Sequence, residues 1–141
     1  MTLTSTDTGL SADAREILAR TLFGEARGEG AAGMIAVACV VLNRAARPGW
    51  WGHDVVSVCL KRRQFSCWNA DDPNRVKLLS VGEDDPQYRL ALDVAAKALA
   101  GELQDPTGGA THYHARSIMP YWARAEEPVA TIGNHMFYKE P

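Results

Sequence analysis

The sequence predicts an α+β fold, mainly helical, with a small antiparallel sheet in its C-terminal part. Apolar residues recur at helical spacing as far as Gly101. From there the chain changes character: "GGATHYHARSIMPYWARAEEP" and "ATIGNHMFYKEP" carry aromatics, histidines, glycines and prolines in short runs. Such runs suit strands and loops. Helices followed by strands make an α+β arrangement, and 141 residues fit one domain.

Residues 1–10 read as a flexible tail and 11–141 as one domain. "SADAREILARTLFGEA" is a first helix. Ser11 or Asp13 caps it, with Glu16 three residues after Asp13 as in a capping box. Gly28 and Gly30 stop it. "AAGMIAVACVVLNRAA", 31–46, is apolar for longer than a strand and reads as a second helix buried on most sides. Its alanines and Gly33 let another backbone approach. Trp50 and Trp51, beside Gly49 and Gly52, pack a turn. Asp54 caps a short helix, "VVSVCLK", and "RRQFSCWNADDPN" is irregular. Asp85-Pro86 opens a third helix, with the cap followed by proline at the first helical position. Tyr88, Ala91, Leu92, Ala95 and Leu99 form its apolar stripe, and Gly101 ends it.

Composition narrows the function classes. The formal net charge of −2 argues against a nucleic-acid partner. No apolar run reaches the ~20 residues of a membrane helix, so no membrane insertion is expected. The polar start, "MTLTSTDTGLSAD", is not a signal peptide. Cys39, Cys59 and Cys67 form no C-x-x-C pair; reduced thiols are the default reading and a Cys59–Cys67 bridge the lesser alternative, with Cys39 a small buried hydrophobe.

The chemistry gathers in "LFGEARGEG", Leu22 to Gly30. Leu18, Leu22 and Glu25 follow the i, i+4, i+7 rule, so Glu25 lies on the leucine face near the helix C-terminus. Partial burial and the negative helix end both disfavour its charged form and predict a raised pKa. A carboxylic acid kept protonated near neutral pH is the usual general acid for a glycosidic bond. Arg27, two positions on, does not face it. Glu29, beyond Gly28, reads as solvated.

Longer stretches carry a resemblance. "FGEARGEGAAGMIAVACVVLNR" resembles the opening motif of the SleB/CwlJ family of cell-wall hydrolases. "DVVSVCLKRRQFSCW", "GATHYHA", "MPYWA" and "IGNHMFYK" are similar, in order, to further segments of that family. The resemblance spans residues 15–139. It implies a compact α+β domain related to lysozyme-like lytic transglycosylases, acting on peptidoglycan glycan strands, with Glu25 as the catalytic acid.

The chemistry implied is cleavage between N-acetylmuramic acid and N-acetylglucosamine. In a lytic transglycosylase one glutamate suffices, and the product is a 1,6-anhydro-muropeptide. A muramidase pairs its acid with a second carboxylate, about 5–5.5 Å or about 6.5–9.5 Å away. Glu29 and Asp54 are the candidates, Asp54 being better explained as a cap. Gln64, Ser66, Thr111 and Asn134 suit sugar hydroxyls and N-acetyl groups. Phe65, Trp68, Tyr113 and Trp122 suit stacking on sugar faces, although Phe65 also reads as a buttress for the glutamate's helix.

No cofactor and no metal are expected, yet a rival reading stays open. His112 and His114 share a strand face and, with His135, would offer three nitrogens to zinc in an amidase or peptidase. The spacing is not a zinc signature such as H-E-x-x-H. The alternative reading has His112 and His135 hydrogen-bond within the groove or position Glu25, and leaves His114 exposed. A non-catalytic wall-binding module is the third possibility. Oligomeric state is unreadable. Synthesis in the cytoplasm with action at the wall fits a phage enzyme released by a holin, a particle-borne enzyme, or a domain of a longer chain.

Overall fold

The computed structural model describes residues 2–47, 51–61 and 64–139, with the backbone alone for 2–13. Five helices come first: α1 (Thr2–Ala26), α2 (Gly30–Ala45), α3 (Val55–Leu60), α4 (Pro73–Ser80) and α5 (Pro86–Leu99). Strands β1 (His112–Ala115), β2 (Ala130–Ile132) and β3 (His135–Tyr138) follow, in the antiparallel order β1-β3-β2. The α+β reading stands.

Three helices start as their local chemistry dictates. Asp54 accepts from the Ser57 N–H while the Ser57 hydroxyl returns to the Asp54 N–H, closing a capping box on α3. Asp85 accepts from the N–H groups of Gln87 and Tyr88, with Pro86 leading α5. Asp72-Pro73 uses the same device to open α4 inside and beyond the stretch expected to be irregular. α1 departs from its expected start. Its backbone is helical from Thr2, ahead of the expected start at Ser11 or Asp13. No proline interrupts that stretch, and propagation from a packed helix adds one hydrogen bond per residue fixed. Trp50 lies outside the described residues, whereas Trp51 is buried.

The main core joins α1, α2 and α5 through Leu18, Leu22, Met34, Val37, Val41, Ala91 and Ala95. α5 buries Val94 and Ala98, whereas Leu99, expected in the stripe, is 39% exposed. The 3.6-residue period turns position 99 off the face that position 98 holds. A second, small cluster (Ala36, Val40, Ala110 and Phe137) seats the sheet on α2.

Register decides what the sheet offers on each side. Tyr113 pairs with Phe137 and Ala115 with His135, so these four share one face. His112, His114, Met136 and Tyr138 share the other. Phe137 lies in the cluster against α2, so Tyr113 and His135 sit on the helix-facing side.

Candidate active site

Glu25 stands in the last turn of α1, half-buried, where the sequence placed it. Gly24 makes its surroundings possible. A Cβ there would lie 2.7 Å from both Cβ and Sγ of Cys67. Without one, the 3-10 turn Ser66–Trp68 packs directly on α1, and the Cys67 N–H reaches Glu25 Oε2 at 3.4 Å. From the opposite side the Tyr113 hydroxyl donates to Glu25 Oε1. One carboxylate is thus held between a helix end, a tight turn and a strand.

Tyr113 is fixed in turn. Its ring stacks on Phe137 at 5.5 Å and meets the edge of His135 at 5.0 Å. Burial, followed by the charge and hydrogen bond of Glu25, pushes the phenol well above its ordinary pKa. Tyr113 therefore remains a neutral donor across the working pH range.

Beneath this pair lies a residue the sequence reading passed over. Arg44, on the last turn of α2, is 8% exposed. Its Nε donates to the Thr111 carbonyl at 2.7 Å and its Nη1 to Gln64 Oε1 at 2.9 Å. The guanidinium lies over the rings of Phe65 (5.2 Å) and Trp51 (5.8 Å). Burial lowers its pKa, opposed by the nearby Tyr113 and Glu25. Arg44 joins the segment that carries Phe65 and Cys67 to the strand that carries Tyr113. In the sequence it stands as the last residue of "FGEARGEGAAGMIAVACVVLNR", closing an apolar helix, with no role assigned to it.

Glu29 is not solvated. Its side chain is 13% exposed. Oε1 accepts from the Asn134 backbone N–H at 2.9 Å and Oε2 from the Asn134 amide at 3.0 Å. Asp54 remains a cap with an exposed side chain. Both candidates for a second carboxylate are engaged in folding contacts. Arg27 turns away from Glu25 and donates to Asn74 Oδ1 at 2.6 Å.

The other expected substrate contacts divide. Gln64 is consumed internally: it accepts from Arg44 and donates to the carbonyls of Trp51 (2.7 Å) and Val58 (3.2 Å). Phe65, 2% exposed, is a core buttress rather than a sugar platform. Trp68 packs against the core and donates from Nε1 to Thr21 Oγ1 at 2.9 Å. Thr111 is buried, with Oγ1 2.9 Å from His112 Nδ1. The Asn134 amide is committed to Glu29 and His135 is half-buried against Tyr113. Ser66 is exposed beside the acid. Trp122 is 44% exposed; it meets His114 and Tyr138 edge-on and His112 at a tilt, with ring centroids 5.2–5.7 Å apart.

His114 is a correction. It is 8% exposed, with Nε2 2.8 Å from the Tyr138 hydroxyl and Nδ1 2.8 Å from the Ala115 carbonyl. Trp122 folds back over its strand face and covers it. The three histidines also fail to converge, since His135 lies on the opposite sheet face from His112 and His114. Register parity thus removes the ligand set of the zinc reading.

Comparison with known proteins agrees with this architecture. The family described as Cell Wall Hydrolase matches residues 28–138. That match begins just after Glu25, so the case for the acid rests on its geometry. A spore cortex-lytic enzyme of Halalkalibacterium halodurans is 33% identical, over 95% of this chain and 37% of that protein. Another, from Bacillus cereus, is 27% identical over 96% of this chain and 48% of that protein. The chain therefore spans less than half the length of these relatives. The catalytic domain of the germination-specific lytic transglycosylase SleB from Bacillus anthracis superposes with a TM-score of 0.69 at 26% identity, covering 89% of this chain and 93% of that one. The catalytic domain of the Bacillus cereus SleB protein gives 0.71 at 26% identity, covering 91% of each.

Proposed function

The chain belongs to the cell wall hydrolase family, and on that premise we propose that it is a lytic transglycosylase cleaving the N-acetylmuramic acid–N-acetylglucosamine bond of peptidoglycan, with Glu25 as its one catalytic carboxylate. The observation that carries this reading is the division of labour among the acids. Glu25 is half-buried between two donors, whereas Glu29 and Asp54 are bound up in a turn and a cap.

Glu25 donates its proton to the bridging oxygen as the glycosidic bond breaks and positive charge develops at C1 of the muramic sugar. Negative charge then appears on Glu25, where the Tyr113 hydroxyl and Cys67 N–H are already aimed at it. The Glu25 carboxylate next accepts the proton of the sugar's own C6 hydroxyl, whose oxygen closes on C1. No water is consumed and Glu25 ends protonated, as it began. Ser66 lies exposed next to Cys67, which supports a contact with the glycan there. Trp122 packs on the sheet face opposite Tyr113, so a contact with the glycan at Trp122 would lie away from Glu25.

Spore cortex and vegetative wall share this bond, so the proposal concerns the bond rather than one wall. Action belongs at the bacterial cell wall, and among the described residues no helix is long and apolar enough to cross a membrane. Delivery by a phage lysis system, on a particle, or within a longer chain is compatible with it.

Digestion of purified peptidoglycan in ¹⁸O-labelled water tests the reaction class. Muropeptides lighter by one water and free of label are expected by mass spectrometry. Labelled reducing muramic ends would make the enzyme a hydrolase and overturn the transglycosylase reading.

A further inference from the structure

Glu29 lies four positions after Glu25, across the glycine turn that ends α1, and its carboxylate is built into the β2–β3 turn. Two glycines are cut to its shape. A Cβ on Gly33 would lie 2.3 Å from Glu29 Cβ, and one on Gly133 would lie 2.3 Å from Glu29 Oε1. The bonds to Asn134 are charge-assisted and join residues 105 apart in sequence. The next residue, His135, has its Nδ1 buried without a hydrogen-bond partner, 3.9 Å from Glu29 Oε1. The His135 ring then abuts Tyr113, whose hydroxyl holds Glu25.

We propose that Glu29 is a positioning residue for the acid: it clamps the β2–β3 turn to the end of α1 and so sets, through His135, where Tyr113 holds Glu25. Among the described residues, the small cluster around Phe137, against which Ala130 and Ile132 also pack, the Arg44 bond to Thr111 and the Asn43 Nδ2 bond to the Ala110 carbonyl (2.9 Å) tie the strands to the helical body. Glu29 adds the tie at the β2–β3 turn, next to His135. The loop that leaves the catalytic residue therefore also carries the group that brings in its partner.

The proposal rests on the transglycosylase reading, and a double-mutant cycle tests it. Glu29→Gln, Tyr113→Phe and the double variant are compared for kcat and KM on peptidoglycan, with thermal melting as the check on folding. Glu29→Gln keeps the shape but loses the acceptor facing the Asn134 amide. Misplacing a catalytic group costs roughly 10- to 100-fold, so kcat is expected to fall by that factor with KM little changed. The double variant is expected to be no slower than Tyr113→Phe alone, because both act through one contact. Losses that multiply would place Glu29 on the substrate itself and overturn the proposal. So would a lowered melting temperature with unchanged kcat per folded molecule.

Asn134→Ala, which removes one of the two bonds at an exposed position, gives the same cycle if Glu29→Gln does not fold. An activity-independent reading comes from the nuclear Overhauser contact between the His135 and Tyr113 rings. It is expected to weaken in either variant, and an unchanged contact would overturn the clamp. That result stands even if the wild type cuts no glycan, which would overturn only the proposed activity.

Discussion

Removing a single oxygen, Tyr113→Phe, isolates the contact on which the proposed chemistry depends. The phenylalanine ring keeps the stack on Phe137 and the edge contact with His135, so the sheet stays seated. What disappears is the donor to Glu25 Oε1. A hydrogen bond to a charged group is worth about 1.5–3 kcal/mol, and the charge on Glu25 develops as the bridging oxygen takes its proton. The barrier should rise by about that amount, which is roughly a 10- to 150-fold loss in kcat. KM should change little, since the hydroxyl is spent on Glu25. The assay is release of soluble anhydro-muropeptides from purified peptidoglycan, read by mass spectrometry against time, alongside a thermal melt. A kcat within about twofold of wild type, in a protein that melts normally, would refute the claim that Tyr113 stabilises the charged acid.

Gly24→Ala forces a Cβ to within 2.7 Å of Cys67, so the Ser66–Trp68 turn must lift off α1. About 1–3 kcal/mol of stability should be lost by calorimetry, together with activity as the Cys67 N–H leaves Glu25. Arg44→Lys keeps the charge but cannot serve Thr111 and Gln64 at once. One buried acceptor goes unpaired, so denaturant unfolding should show a loss of about 1–3 kcal/mol, with kcat falling as β1 loosens. The buried Cys59 thiol is pushed by desolvation from 9.0 to about 12. Above pH 9 the unfolded chain sheds this proton while the native state keeps it, so stability falls as pH rises, by ~1.4 kcal/mol per pH unit up to about pH 12. In Cys59→Ala, urea unfolding measured across this range should lose that part of the slope, and an unaltered slope would contradict the assignment.

What could be read from the sequence was what local chemistry decides. The Asp54 and Asp85-Pro86 caps form hydrogen bonds within a few residues, and the leucine spacing alone put Glu25 on the inner face of its helix. Asp72-Pro73 carried the same cap signal as Asp85-Pro86. Long-range partnerships were not legible. Nothing beside Glu29 announces Asn134, and nothing beside Arg44 announces Thr111. Strand alternation placed His112 and His114 on one face, but burial of His114 depends on Trp122 returning across the sheet from a separate loop. Gln64, Phe65 and Trp68 illustrate a related gap. A polar or aromatic residue in a loop suits a sugar, and only the packed fold shows that these three are spent on Arg44, the core and Thr21.

The most direct test of the account is the turnover of Glu25→Gln on purified peptidoglycan, with its melting temperature measured on the same sample. General acid–base catalysis contributes roughly 10²–10⁴-fold, so anhydro-muropeptide release should fall by at least that factor while the fold survives. Release at a wild-type rate from a folded Glu25→Gln protein would contradict the account and remove Glu25 from the chemistry.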